Sequence, residues 1–104
     1  MPAGRPDLMA KVIICSAAEV DYIESLTWYA ERSVDAANEF DVEFDRALTQ
    51  IAADPERFPL CDTRHRFFLL RRFPFRIVYR MAHEVVVVIA VAHGSRTHAY
   101  WVDR

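Results

Sequence analysis

Residues 73–93 read FPFRIVYRMAHEVVVVIAVAH, and two β-strands with a tight connection are written into them. Successive side chains of a strand point to opposite faces. Phe75, Ile77, Tyr79 and Met81 therefore share one face, and Arg76, Val78 and Arg80 share the other. His83-Glu84 interrupts the apolar run, and Val85 to Ala92 resumes it with an apolar residue at every position, the pattern of a central strand covered on both faces. Upstream, Arg66 to Arg72 predicts a further strand, closed at Phe73-Pro74, where the proline forces a turn. Strands joined this tightly form an antiparallel meander. Arg76 and Arg80 then lie about 7 Å apart on the open face, which reads as a shallow groove.

Before residue 60 the apolar residues recur at helical spacing. Lys11 to Cys15 predicts a short strand. Ser16-Ala17-Ala18-Glu19 has capping-box form, so a helix is expected to start there with Ser16 as its cap. Ala18, Tyr22, Leu26 and Tyr29 mark its inner face, with Ile23 and Ala30 widening it, to about residue 32. Ser33 is placed to cap a second helix carrying the stripe Ala37, Phe40, Phe44, Leu48 and Ile51. Asp54-Pro55 ends that helix, because proline disfavours helical geometry in the residue before it. The expected class is α+β: an N-terminal strand, a helical hairpin, then a three-stranded antiparallel meander, with the helices on one face of the sheet. Residues 1–9, with Pro2, Gly4 and Pro6, are expected to be a flexible tail, and residues 10–104 a single domain.

Composition bounds the function. A chain of 104 residues, 53% of them hydrophobic, suffices for one modest core. Its longest apolar run, Val85 to Ala92, is under half of a membrane span, and no signal-peptide pattern opens the chain, so a cytoplasmic protein without a membrane partner is expected. Cys15 and Cys61 lack the spacing of a disulfide framework or a zinc site, and no metal or cofactor is expected. The formal charge of −2 hides an asymmetry. Residues 1–59 carry five cations against twelve acids, and residues 60–104 carry eight arginines against three acids. A chain this near neutrality is a poor non-specific binder of nucleic acid, so any anion site should be local.

The basic half holds the candidate functional residues Arg76, Arg80, His93, Arg96, Tyr100 and Trp101. Arginine keeps its charge and offers a planar fork that matches phosphate or carboxylate. Histidine titrates near neutrality and can serve as acid or base. The paired aromatics can stack on a base or close a core. Each has a plainer reading as well: arginines that protect a sheet edge, a histidine bonded to backbone, an aromatic pair that caps the interior. Asp35, Glu39, Asp41, Glu43 and Asp45 form an acidic helix face, either simply solvated or suited to basic partner residues.

The order of elements, with P-x-R-F-P at Pro55 to Pro59, F-P-F-R-I-V-Y-R at Phe73 to Arg80 and V-A-H-G-S-R-x-x-x-Y-W at Val91 to Trp101, resembles the RelE/ParE superfamily of bacterial toxins over roughly residues 10–104. The resemblance implies the toxin of a type II toxin-antitoxin, or plasmid-stabilisation, module. It also implies a cognate antitoxin whose C-terminal segment wraps the helical hairpin and the meander in a hetero-oligomer.

The superfamily's branches imply different targets. RelE-type toxins cut mRNA in the ribosomal A site; on that pattern Arg76, Arg96 and Tyr100 match as catalytic residues, with His93 or His98 as a substitute acid or base. The two lysines that the RelE pattern places on the preceding strand fall on Phe67 and Leu69, and Lys11 is the only lysine in the chain. ParE-type toxins inhibit DNA gyrase without RNA cleavage, and the absence of those lysines fits that branch better. An mRNA interferase and a non-toxic interaction module on the same fold stay open as alternatives.

Overall fold

The computed structural model describes residues 9–95 and 99–104. The expected tail therefore falls almost wholly outside the described residues, as do Arg96 and His98. The elements run β1 (Lys11–Ile14), α1 (Ser16–Ala30), α2 (Val34–Ala53), β2 (Arg66–Leu69), β3 (Phe75–Ala82) and β4 (Val85–His93). The class is α+β, as expected, and the N-terminal strand joins the meander to make one four-stranded sheet in the order β1-β4-β3-β2. β1 runs parallel to β4, while β4 with β3 and β3 with β2 are antiparallel. β4 is thus central, which is why it is apolar along its length.

Both helices pack on one face of the sheet. Phe40, Phe44 and Ile51 of α2 and Ala18 of α1 meet Phe75, Ile77, Tyr79, Val86, Val88 and Val91 in the main core. Complete burial of a side chain such as Phe40 or Ile51 contributes roughly 1.5–3 kcal/mol relative to exposure. The ring of Tyr22 lies 4.4 Å from that of Phe44, and Phe40 packs edge-on to Phe73 and Phe75. These aromatics fasten the hairpin to the β2–β3 turn.

A register shift separates Val78, opposite Ala90, from Tyr79, opposite Val88. Ile89 is the extra residue. The bulge lets Ile89 and Ala90 both pack on the second face, while Val86, Val88 and Val91 all reach the helical face.

Several local expectations are corrected. Ser16 is the first helical residue and not the cap; Cys15 precedes it without a side-chain cap bond, and its carbonyl accepts from the Glu19 amide. Ile23 and Ala30 face outward, because the axis of α1 directs Ala18, Tyr22, Leu26 and Tyr29 to the core and leaves Val20, Ile23 and Trp28 exposed. β2 stops at Leu69 instead of Arg72: the amides of Arg71 and Arg72 donate to the Glu43 carboxylate of α2, at 3.0 and 3.3 Å, instead of extending the ladder. Ser33 does cap α2, accepting from the Ala36 amide at 3.1 Å.

Candidate functional site

The second face of the sheet, expected to be an open groove, is largely closed. Trp101, only 6% exposed, lies in a second apolar cluster with Val78, Ile89, Ala90 and Ala92, and Tyr100 packs against its margin. This lid follows from the sequence chemistry: small and branched residues on β3 and β4 leave a shallow apolar strip that one large indole can cover. The indole Nε1 is buried without a hydrogen-bond partner among the described residues, so the side chain of Trp101 is held by packing.

Arg76 and Arg80 flank this covered strip on the same face. The Arg76 guanidinium stands 5.5 Å from the centre of the Phe67 ring, and Leu69 is its cross-strand partner. Arg80 reaches the far end of the strip, where its Nε is buried and has no hydrogen-bond partner among the described residues. It lines a cleft of about 260 Å³ together with Leu60, Arg64 and Arg66.

One residue of this region was not signalled by the sequence. Asp21 of α1 accepts from the amide of Val91 at 3.1 Å, from Arg104 Nη1 at 2.7 Å and from the Tyr100 hydroxyl at 3.4 Å. β1 ends at Ile14, opposite Val88, so among the described residues β4 beyond that point has no strand on this side. Asp21 supplies an acceptor to that bare edge and anchors the C-terminal segment in the same step. Arg104 also donates to the Ile89 carbonyl at 3.1 Å, in the bulge. The hydrogen bond to Asp21 leads in raising the Arg104 pKa above its ordinary value, against a smaller opposing effect of burial.

His93 is parted from the arginines by the sheet. It pairs with Phe75 on the helical face, its ring 4.9 Å from that phenyl and edge-on to it. Its Nδ1 accepts from the Ser95 amide at 3.0 Å, which leaves the ring proton of neutral His93 on Nε2. With Trp28, Tyr29, Pro74, Phe75 and Ser95 it lines an apolar groove of about 530 Å³ beside α1. Arg76, Arg80, Tyr100 and Trp101 are therefore gathered on one side, and His93 on the other.

Polar anchors elsewhere fix the loops. The His65 ring, 3% exposed, donates from Nδ1 to Asp62 at 2.9 Å, and the Asp62 carboxylate also accepts the amides of Arg64 and His65, each at 2.7 Å. Burial alone would push the Asp62 pKa up, but these amides and the imidazole together hold it below the usual value. The Tyr79 hydroxyl donates to the Pro55 carbonyl at 2.5 Å, and burial pushes its pKa up to about 12. Tyr22 is raised further, by burial first and then by its hydrogen bond to Asp41. On the acidic face of α2, Glu39 and Glu43 hold the 71–72 turn, Glu39 through Arg72 at 3.7 Å. Among the described residues no helix is long and apolar enough to cross a membrane.

A four-stranded sheet with a parallel N-terminal edge strand, a helical hairpin on one face and an arginine-bearing second face defines a toxin fold of the RelE/ParE kind. The same architecture recurs in the chromosomal ParDE toxin-antitoxin system from P. aeruginosa (TM-score 0.63, 20% identity, 82% of this chain and 96% of that one). It recurs also in the RelBE2 toxin-antitoxin complex from Mycobacterium tuberculosis (TM-score 0.53, 23% identity, 83% of this chain and 92% of that one). In sequence the chain is 26% identical over 80 residues to Toxin ParE2 of Mycobacterium tuberculosis, strains CDC 1551 / Oshkosh and H37Rv, an alignment that covers 76% of each protein. Residues 12–98 match the family described as the ParE toxin of the type II toxin-antitoxin system parDE. The chain belongs to this family and is the toxin of a type II toxin-antitoxin module.

Proposed function

We propose that this toxin acts as a binder and not as a nuclease: it inhibits DNA gyrase through the face that carries Arg76, Arg80, Tyr100 and Trp101, and a cognate antitoxin neutralises it. The surroundings of Arg76 carry this reading. Cleavage by a ribose hydroxyl needs a base within hydrogen-bond reach of that hydroxyl and cations around the phosphate. Beside Arg76, β2 offers Phe67 and Leu69, and His93 turns to the opposite face. Among the described residues, what remains around Arg76 is an apolar surface that carries fixed cations, suited to holding a protein.

An antitoxin partner is supported by the toxin-antitoxin systems among the structural neighbours and by the exposed Val20, Ile23 and Trp28 on α1. Such a stripe suits the apolar face of a partner helix or an extended segment that wraps the hairpin and the meander. Induction of the lone chain, with a readout that separates DNA damage from translation arrest, tests the target. DNA breaks with intact mRNA are expected. mRNA cut on translating ribosomes, and spared when Arg96→Ala is induced, would replace this reading with the interferase one.

A further inference from the structure

The cleft at the β2 edge is lined by three arginines, Arg64, Arg66 and Arg80. Its volume is about 260 Å³, and among the described residues Glu56 is the one acid in its wall. Among the described residues none of the three lies within 4.0 Å of a carboxylate, although three other arginines do form such pairs, Arg32, Arg72 and Arg104. Arg66 spends Nη1 on the Phe58 carbonyl at 2.6 Å, but the buried Nε of Arg80 has no acceptor. A buried donor normally finds a partner, and three arginines against one acid leave this cleft with an excess of positive charge that suits an anion.

We infer that the cleft receives the carboxylate of an acidic side chain with an apolar neighbour, presented by the antitoxin; this rests on the antitoxin reading above. Leu60, 54% exposed at the rim, and Met81 supply the apolar contact. The segment before β2 blocks strand addition here: the Phe67 amide donates to the Pro59 carbonyl at 3.1 Å, and Leu60 bridges Arg66. A partner must therefore enter by a side chain. A polyanionic nucleic-acid backbone suits the place less well, because the cleft holds one group and not a track, and the whole chain carries a formal −2.

The test uses the full chain and capped peptides of alternating Asp and Leu, their Asn and Leu counterparts, and single-stranded oligodeoxythymidine. The acidic peptide is expected to shift the backbone amide resonances of Thr63, Arg64, Arg66, Arg80 and Met81. The Asn peptide, and Arg64→Gln or Arg80→Met chains with the acidic peptide, are expected to bind about tenfold or more weakly. Equal binding of the Asn peptide, shifts confined to other surfaces, or tighter binding of the oligonucleotide overturns the inference. Co-purification with the antitoxin, sought as the product of the adjacent small reading frame, separates the two readings. A complex equally stable with wild type and with Arg64→Gln/Arg80→Met overturns the cleft assignment alone. A wild-type chain that forms no complex overturns the antitoxin reading, and the occupant with it.

Discussion

Asp21 on the first helix and Arg104 in the C-terminal segment meet at 2.7 Å across 83 residues of sequence, their side chains 14% and 23% exposed. The carboxylate takes the Val91 amide as well, so one side chain satisfies the bare edge of the central strand and ties down the segment that bears Trp101. Stability and the shape of the arginine-bearing face are coupled through this contact.

Removing the carboxylate should therefore cost more than removing its cation. Asp21→Ala leaves the Val91 amide without its side-chain acceptor and Arg104 without its counter-charge, with only the Ile89 carbonyl remaining to the guanidinium, and a loss of about 2 kcal/mol is expected. Arg104→Met should cost about 1 kcal/mol. Urea unfolding of the two single variants and the double variant measures the coupling. Strictly additive losses would show that the pair contributes nothing as a pair.

Trp101 is held by area and not by a hydrogen bond, and its variants should show this. Trp101→Ala uncovers Val78, Ala90 and Ala92 and should destabilise by about 3–5 kcal/mol. Trp101→Phe should cost far less, about 1 kcal/mol, because the lost Nε1 donor had no partner. A large loss in the Phe variant would point to a hydrogen bond at Nε1.

These two residues also mark where sequence reading stops. The alternation in Phe75 to Ala82 and the apolar run of Val85 to Ala92 are local signals, strong enough to place both strands and to divide Arg76 and Arg80 from Ile77 and Tyr79. The stripe of α2 was equally plain, because its polar and apolar sides are cleanly separated. α1 carries apolar residues on both sides, so Ile23 and Ala30 were assigned to the wrong one. The pairing of β1 with β4 spans some seventy residues, and nothing in a four-residue strand names its partner. A bulge at Ile89 inside an all-apolar run leaves no alternation to break. Asp21 was one of three acids on α1, and its role appears only when β4 and the C-terminal segment converge on it.

At the alkaline end, the buried tyrosines should govern unfolding. The Tyr79 pKa rises from 10.0 to about 12 in the folded chain, so its contribution is complete below the unfolded value and is lost as pH climbs through the folded one. Stability should fall between about pH 10 and 12, with tyrosinate absorbance rising as the chain unfolds. Tyr79→Phe should flatten that slope while lowering neutral-pH stability by about 1 kcal/mol, since the Pro55 carbonyl loses its donor. An unchanged alkaline slope in this variant would assign the transition to other groups.

At the acid end, the sign reverses. Asp62 has a folded pKa below its ordinary value, so the unfolded chain takes up a proton there first, and the stabilisation present above the unfolded pKa is lost as pH falls through the folded one. Protonation weakens the carboxylate that accepts the Arg64 and His65 amides and the His65 ring. The 62–65 turn should therefore loosen first in acid, and with it the wall of the arginine cleft to which Thr63 and Arg64 belong. Amide hydrogen exchange at Arg64 and His65, followed as pH is lowered, should rise ahead of exchange in β3 and β4. Asp62→Asn removes the titrating group, so its stability should depend less steeply on pH in this range. Exchange that rises in step across the turn and the central strands would show that acid unfolds the chain as one unit and that Asp62 has no separate local effect.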